Sequence, residues 1–156
     1  MERKTNQQTL TRVTEVELIY KTKVKPSDRL KIASSADCYK IFFEHWDSNR
    51  IEFVEQFKIM LLNKANKVLG IYETSTGSVS SCTVDPKQIF CAAIKAHACS
   101  IILCHNHPSG NLVPSEADRG ITRKLKEAGE FLDLKVLDHI ILSTEGYYSF
   151  ADEGLL

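Results

Sequence analysis

The chain lacks the features that would direct it to a membrane or a polyanion. No apolar run approaches the roughly 20 residues needed to cross a bilayer, and the start, Met1 to Lys4, leads into polar residues without an apolar signal-peptide core. Neither sign of charge is in excess, because 20 basic residues balance 20 acidic ones among the 156. We therefore expect a cytoplasmic protein without a membrane partner, and no overall electric field that gathers nucleic acid.

The cysteine pattern also excludes several classes. The five cysteines are an odd number, contain no C-x-x-C pair and lie mostly among apolar neighbours, at positions 38, 82, 91, 99 and 104. This favours buried free thiols in a reducing compartment over a disulfide framework. A zinc deaminase needs a C-x-x-C ligand pair and an H-x-E motif, so that class is excluded as well.

Hydrophobic periodicity predicts a single α/β (α+β) domain in which helices flank a mixed sheet. Residues 1–34 form a short N-terminal extension with an edge strand, and residues 35–156 form the domain. Ser34 or Ser35 can cap the first helix, and Asp85, Pro86 and Gln88 have the spacing of a capping box. The predicted strands cover 14–24, 52–63, 66–74, 78–84, 100–104, 134–142 and 146–150, and the predicted helices cover 36–46, 86 to about 97, and about 115–130.

Two carboxylates occupy positions where the pattern demands apolar side chains. In the strand over 52–63, Glu55 shares its alternation with Phe57 and Ile59, which directs it inward, whereas Glu52 falls on the other face. Asp118 lies on the apolar stripe of the helix after Pro114, and an isolated buried carboxylate there costs several kcal/mol. Two inward carboxylates from distant segments indicate a shared cationic partner. Alternatively, Glu55 is an edge residue of different parity.

Two histidines can supply the remaining ligands. His105 and His107 continue the odd positions of the buried strand, so both imidazoles leave the same face at its end. Two histidines and one aspartate are a typical catalytic zinc set that leaves a position for water. The alternatives are that strand histidines satisfy hydrogen bonds, and that Ser115-x-x-Asp118 is only a capping box. Zinc is expected, although such a ligand set also accepts iron or manganese.

Cys104 and His139 give weaker indications of a role in the metal site than the two motif histidines. Cys104 precedes His105 and so faces the opposite side of the strand, which argues against thiolate ligation. His139, in Leu137-Asp138-His139, is either part of a satisfied core pair or a residue that orients a metal ligand. The sequence leaves its role open.

The string HNHPSGNLVPSEAD, residues 105–118, resembles the JAMM (MPN-type) metalloprotease motif H-x-H-x(7)-S-x(2)-D without a gap. Its wording is similar to the RadC-like branch of that superfamily. The flanks also resemble RadC-like chains, so the likeness covers roughly residues 35–156. They are EQFKIMLLNKANKVLG (55–70), the helix start at 85–90, LDHIIL (137–142) and YYSFADEGLL (147–156).

The resemblance implies a cytidine-deaminase-like α-β-α fold and a role for each motif residue. It implies His105, His107 and Asp118 as zinc ligands, Glu55 as general acid/base, and Ser115 as a donor to the tetrahedral oxyanion. One departure is that full-length RadC proteins carry an N-terminal helix-hairpin-helix, whereas the first 34 residues here are too few for one.

The leading hypothesis is a zinc metallopeptidase of the JAMM class that hydrolyses peptide or isopeptide bonds, with a peptide or protein substrate. The alternative is a DNA-repair or mobile-element accessory protein that acts on or with DNA. The neutral charge balance does not indicate DNA. A catalytically silent scaffold is less favoured because the four motif residues and Glu55 are all present. The substrate and the oligomeric state are not specified by the sequence.

Overall fold

A computed structural model describes residues 17, 19–77 and 83–156, and these residues form an α+β fold with a mixed sheet. The predicted fold class is confirmed. The described strands are β1 (Gln56–Leu62), β2 (Val68–Thr76), β3 (Ser100–Asn106), β4 (Lys135–Leu142) and β5 (Tyr147–Ser149), and the helices are α1 (Ser35–Glu44), α2 (Pro86–Lys95) and α3 (Glu116–Phe131), with a 3-10 turn at Pro26–Asp28.

The sheet has the order β2-β1-β3-β4-β5, which places β3 in the centre. Strand β1 is antiparallel to β2 and β3, β3 is parallel to β4, and β5 is antiparallel to β4. All seven residues of β3 are buried. In the register of the sheet, His105 lies between Phe57 of β1 and Ile141 of β4.

Two hydrophobic clusters cover the two faces of the sheet. Ile102 and Cys104 of β3 pack with α1, while Ile101 and Leu103 pack with α2 and α3. This division follows from the alternation of side chains along a strand. Cys104 therefore faces away from the side of His105, as the sequence predicts. No helix within the described ranges is long and apolar enough to cross a bilayer.

The helix caps follow the sequence with one small difference. Ser34 begins α1 with a capping box, in which its hydroxyl accepts from the N–H of Asp37 and the Asp37 carboxylate accepts from the N–H of Ser34. At α2, Asp85 accepts from the N–H of Lys87 at 2.9 Å, one residue earlier than the capping-box spacing predicts. Helix α2 ends at Lys95 because His97 takes a left-handed conformation with φ of 53°.

Three predicted strands differ from the structure or lie partly outside the described residues. The strand expected from residue 52 begins only at Gln56, because residues 51–53 form turns and Phe53 is 68% exposed. Residues 17 and 19–24 form no strand, and the rest of the predicted edge strand lies outside the described residues. The strand predicted over 78–84 also falls mostly outside them, and residues 83 and 84 are not in a strand.

Candidate metal centre

The two motif histidines lie at the carboxyl end of β3. His105 is the sixth residue of the strand and is 1% exposed. His107 follows the strand and remains fixed to it, because its N–H donates to the carbonyl of Leu142 at 3.1 Å. The Nε2 atoms of the two rings are 2.9 Å apart. The structure thus brings both imidazoles to one point, as the two-residue spacing predicts.

Asp118 reaches the same point from the first turn of α3. The capping box fixes its carboxylate, since Oδ2 accepts from the N–H and the hydroxyl of Ser115 at 2.7 and 2.6 Å. Oδ1 then lies 3.2 Å from Nε2 of His105, and Oδ2 lies 3.6 Å from Nε2 of His107. Burial opposes ionisation, but the two imidazoles and Ser115 hold the pKa of Asp118 far below its usual range.

These three side chains fit a tetrahedral divalent ion. Zinc bonds to nitrogen and oxygen are about 2.0–2.2 Å long, so two ligands of a tetrahedral site lie about 3.3–3.5 Å apart. The two Nε2 atoms here are 2.9 Å apart, Oδ1 of Asp118 lies 3.2 Å from His105, and Oδ2 lies 3.6 Å from His107. With one ligand atom taken from each residue, the three atoms lie within 4.8 Å of one another, so the residues form a group that could hold one ion. The donor set of two imidazoles and one carboxylate suits zinc and leaves a fourth position open.

The hydrogen bond of His107 fixes which of its nitrogens is available. Nδ1 lies 2.5 Å from the carbonyl oxygen of Asn111. A carbonyl can only accept, so Nδ1 carries the proton and Nε2 of the neutral ring carries a lone pair. Burial lowers the pKa of His107, but the nearby carboxylate of Asp118 and the carbonyl of Asn111 raise it overall, and the carboxylate of Glu55 adds to the rise.

Glu55 lies in the same cleft, although the reason given from sequence was wrong. It precedes β1 instead of alternating within it, and its half-buried side chain lines a cleft of 680 Å³ that also contains His105, His107 and Asp118. Glu52 lines the cleft too, so strand parity does not separate the two glutamates.

Ser115 combines its cap with a place in the cleft. Its hydroxyl donates to Oδ2 of Asp118 and accepts from the Asp118 N–H at 3.1 Å. The residue also lines the cleft. Capping and contact with a bound molecule are therefore compatible in this geometry, and the role toward a substrate stays a prediction.

Asn106 is a functional candidate that the sequence reading missed. It stands between the two histidines, is 0% exposed, and its Oδ1 accepts from the N–H of Gln56 at 2.7 Å. Its Nδ2 donates to the carbonyls of Ile51 and Val54 at 2.7 and 2.9 Å. These bonds hold the backbone on both sides of Glu55. The sequence signal that could have identified Asn106 is a polar carboxamide within a strand predicted to be buried.

His139 and Thr122 were also not assigned from sequence. His139, on β4, is 0% exposed, and its Nε2 lies 2.8 Å from Nδ1 of His105. Its Nδ1 lies 2.6 Å from Oγ1 of Thr122, which is one helical turn after Asp118. Burial, with the neighbouring His105, lowers the pKa of His139 well below its ordinary value. Both residues therefore lie next to the candidate metal ligands without belonging to the ligand set.

With this geometry established, comparison with known proteins identifies the class. A family model described as "RadC-like JAB domain" matches residues 32–155. The chain belongs to this family, and the resemblance seen in its motif is confirmed.

The relatives share about half of their length with this chain. A UPF0758 protein of Flavobacterium johnsoniae is 48% identical over 101 residues, which are 65% of this chain and 44% of that protein. One of Trichlorobacter lovleyi is 40% identical over 126 residues (81% and 54%). One of Clostridium botulinum is 39% identical over 132 residues (85% and 57%). These names state no activity.

Proposed function

We propose that this chain is a zinc-dependent hydrolase of the JAMM class that cleaves peptide or isopeptide amide bonds. The observation that carries the proposal is the convergence of His105, His107 and Asp118 at a cleft that also contains Glu55. The family match supports a possible hydrolase of this class, and the donor set supports zinc.

Each side chain then has a chemical task. His105, His107 and Asp118 would hold the ion and leave one position open. When bound, zinc supplies a Lewis acid that acidifies water and polarises a carbonyl. The Glu55 carboxylate would take a proton from the attacking water and return it to the leaving amine.

Ser115 would act on the substrate oxygen. Ser115 lines the cleft, so its hydroxyl could donate to the oxyanion of a tetrahedral species. The hydroxyl proton is bonded to Asp118 in the present arrangement. A role toward the substrate therefore requires rotation of the hydroxyl, while the N–H of Ser115 keeps its bond to Asp118.

The charge of the cleft supports an amide substrate over a nucleic acid. Its described lining includes the carboxylates of Glu52, Glu55 and Asp118 and contains neither lysine nor arginine. Phosphate backbones are bound mainly through such basic side chains. The DNA-associated alternative has one observation in its favour, a separate pocket on α3 lined by Arg119, Arg123 and Lys126.

Metal analysis is the first test. The purified chain, expressed with ample zinc, is expected to carry about one ion, as one tetrahedral site implies, and His107→Ala should lose it. Incubation of the loaded protein with peptide and isopeptide substrates should release amines. A metal-free wild type would overturn the proposal. Salt-sensitive DNA binding without amide cleavage would favour the alternative.

A further inference from the structure

His139 completes a hydrogen-bonded chain that begins and ends at two candidate ligands. Thr122 Oγ1 lies 2.5 Å from the backbone carbonyl oxygen of Asp118 and 2.6 Å from Nδ1 of His139. Nε2 of His139 lies 2.8 Å from Nδ1 of His105. This series of hydrogen bonds thus links α3, β4 and β3 next to the candidate metal ligands.

The direction of each bond follows from the proton inventory of the groups. The carbonyl of Asp118 can only accept, so the single hydroxyl proton of Thr122 is used there. Toward His139, Thr122 can therefore only accept, and Nδ1 of His139 must carry a proton.

The same argument extends to His105. His139 is fully buried, and within the described residues its ring nitrogens bond only to a hydroxyl and another imidazole. A buried cation without an anionic partner is costly, so the ring is neutral and its Nε2 accepts. Nδ1 of His105 must then donate, which leaves the lone pair of His105 on Nε2, the atom facing Asp118.

Ring packing keeps His139 in this orientation. Its ring stacks on Phe150, with ring centroids 4.8 Å apart and an interplanar angle of 18°. Its ring centroid also lies 5.4 Å from that of Phe57. Phe150 and Phe57 are themselves buried. The two nitrogens of His139 are therefore held in line between Thr122 and His105.

We propose that Thr122 and His139 are positioning residues of the metal centre, which set the tautomer of His105 so that Nε2 is free to bind the ion. This inference rests on the metal site of the proposed function. It assigns to Thr122, which contacts no ligand side chain through these bonds, a role in metal affinity. Partners of metal-bound histidines typically change affinity about 10- to 100-fold when removed.

Thr122→Val is the sharpest variant because it keeps the shape and removes the hydroxyl. His139 can then carry its proton on Nε2 and donate it to Nδ1 of His105. The proton of His105 would then lie on Nε2, the nitrogen that is needed to bind the ion. Thr122→Ser keeps the hydroxyl and should restore binding. Ser149→Ala is the matched control, since it removes an equally buried hydroxyl that bonds to Asp138.

The readout is zinc affinity, measured by competition with a chelator, together with the absorption spectrum of the cobalt-substituted chain. We expect Thr122→Val to bind zinc about 10- to 100-fold more weakly than the wild type, and Thr122→Ser and Ser149→Ala to match it. Wild-type affinity in Thr122→Val, or equal loss in Thr122→Ser, overturns the inference alone. A wild type that binds no zinc overturns the proposed function and this inference together.

A second measurement needs no variant. Long-range nitrogen–proton NMR spectra of the wild type report which nitrogen of each histidine carries the proton. We expect the proton of His139 on Nδ1, in the metal-free and the zinc-loaded protein alike. A proton on Nε2 of His139 would refute the inference whether or not the variants fold.

Discussion

The side-chain oxygen of Asn106 accepts a hydrogen bond from the backbone N–H of Gln56 at 2.7 Å, inside the protein. Asn106 separates the two motif histidines in sequence, and Gln56 directly follows Glu55. The same carboxamide holds the carbonyl of Val54 at 2.9 Å. The segment that bears the proposed base is therefore held against the end of β3, beside His105 and His107.

Replacement of Asn106 by alanine should loosen this attachment. It leaves the N–H of Gln56 and the carbonyls of Ile51 and Val54 without their partner, and each such buried group costs about 1–3 kcal/mol. The free energy of unfolding should fall accordingly in urea titrations. At a temperature where the variant is folded, kcat should drop by about 100-fold through misplacement of Glu55, with zinc content unchanged.

Asn49→Ala is the control for this prediction. Its amide bonds to Asp47 at 3.2 Å in an exposed turn, so neither stability nor kcat should change appreciably. A stable, fully active Asn106→Ala variant would mean that other contacts position Glu55.

The two cleft glutamates can be separated by the same kind of substitution. Glu55→Gln should retain zinc and lose amide hydrolysis by about 10²- to 10⁴-fold, since a carboxamide cannot accept the proton of water. Glu52→Gln should keep most activity, because Glu52 is bonded to Thr144 at 2.8 Å. Rates with a peptide substrate and metal content are measured together. Loss of activity in Glu52→Gln alone would transfer the role of base to Glu52.

The candidate ligands could be predicted from sequence because their geometry is local. The H-x-H spacing on a buried strand and the Ser115–Asp118 box at a helix start each fix a direction within a few residues. The start of β1 could not be predicted, because contacts from Asn106 about 50 residues away hold the preceding residues in turns. His139 and Thr122 lie 17 residues apart and meet only through packing of α3 on β4.

Thiol reactivity should separate the cysteines by burial. Cys38 and Cys104 are 2% and 0% exposed, whereas Cys91 and Cys99 are exposed. Burial, with the nearby charge of Asp138, raises the pKa of Cys38 to about 12, and burial also raises that of Cys104. At pH 8 neither buried thiol is ionised in the folded protein, so neither should react with a disulfide reagent.

A Cys82→Ser variant makes this count unambiguous, because Cys82 lies outside the described residues. In the folded variant, two thiols should react with the disulfide reagent, those of Cys91 and Cys99. The thiols of Cys38 and Cys104 should react only after denaturant is added. Four fast thiols in the native form would contradict the packing of the cluster that contains Cys38 and Cys104.

Two glycines of α3 test how closely this helix must approach the residue that precedes β4, Leu134. A Cβ atom on Gly129 would collide with the carbonyl oxygen of Leu134, whereas one on Gly120 would meet nothing within 4 Å. Replacing an interior glycine by alanine gains up to about 1 kcal/mol of helix propensity at either position. Gly120→Ala should therefore raise the free energy of unfolding, and Gly129→Ala should lower it by about 1–3 kcal/mol, as overpacking does. Urea unfolding of the pair isolates the steric effect, since both changes lie in one helix. Equal stability of the two variants would disprove the close contact. Because α3 also carries Asp118 and Thr122, displacement of the helix in Gly129→Ala should weaken zinc binding as well.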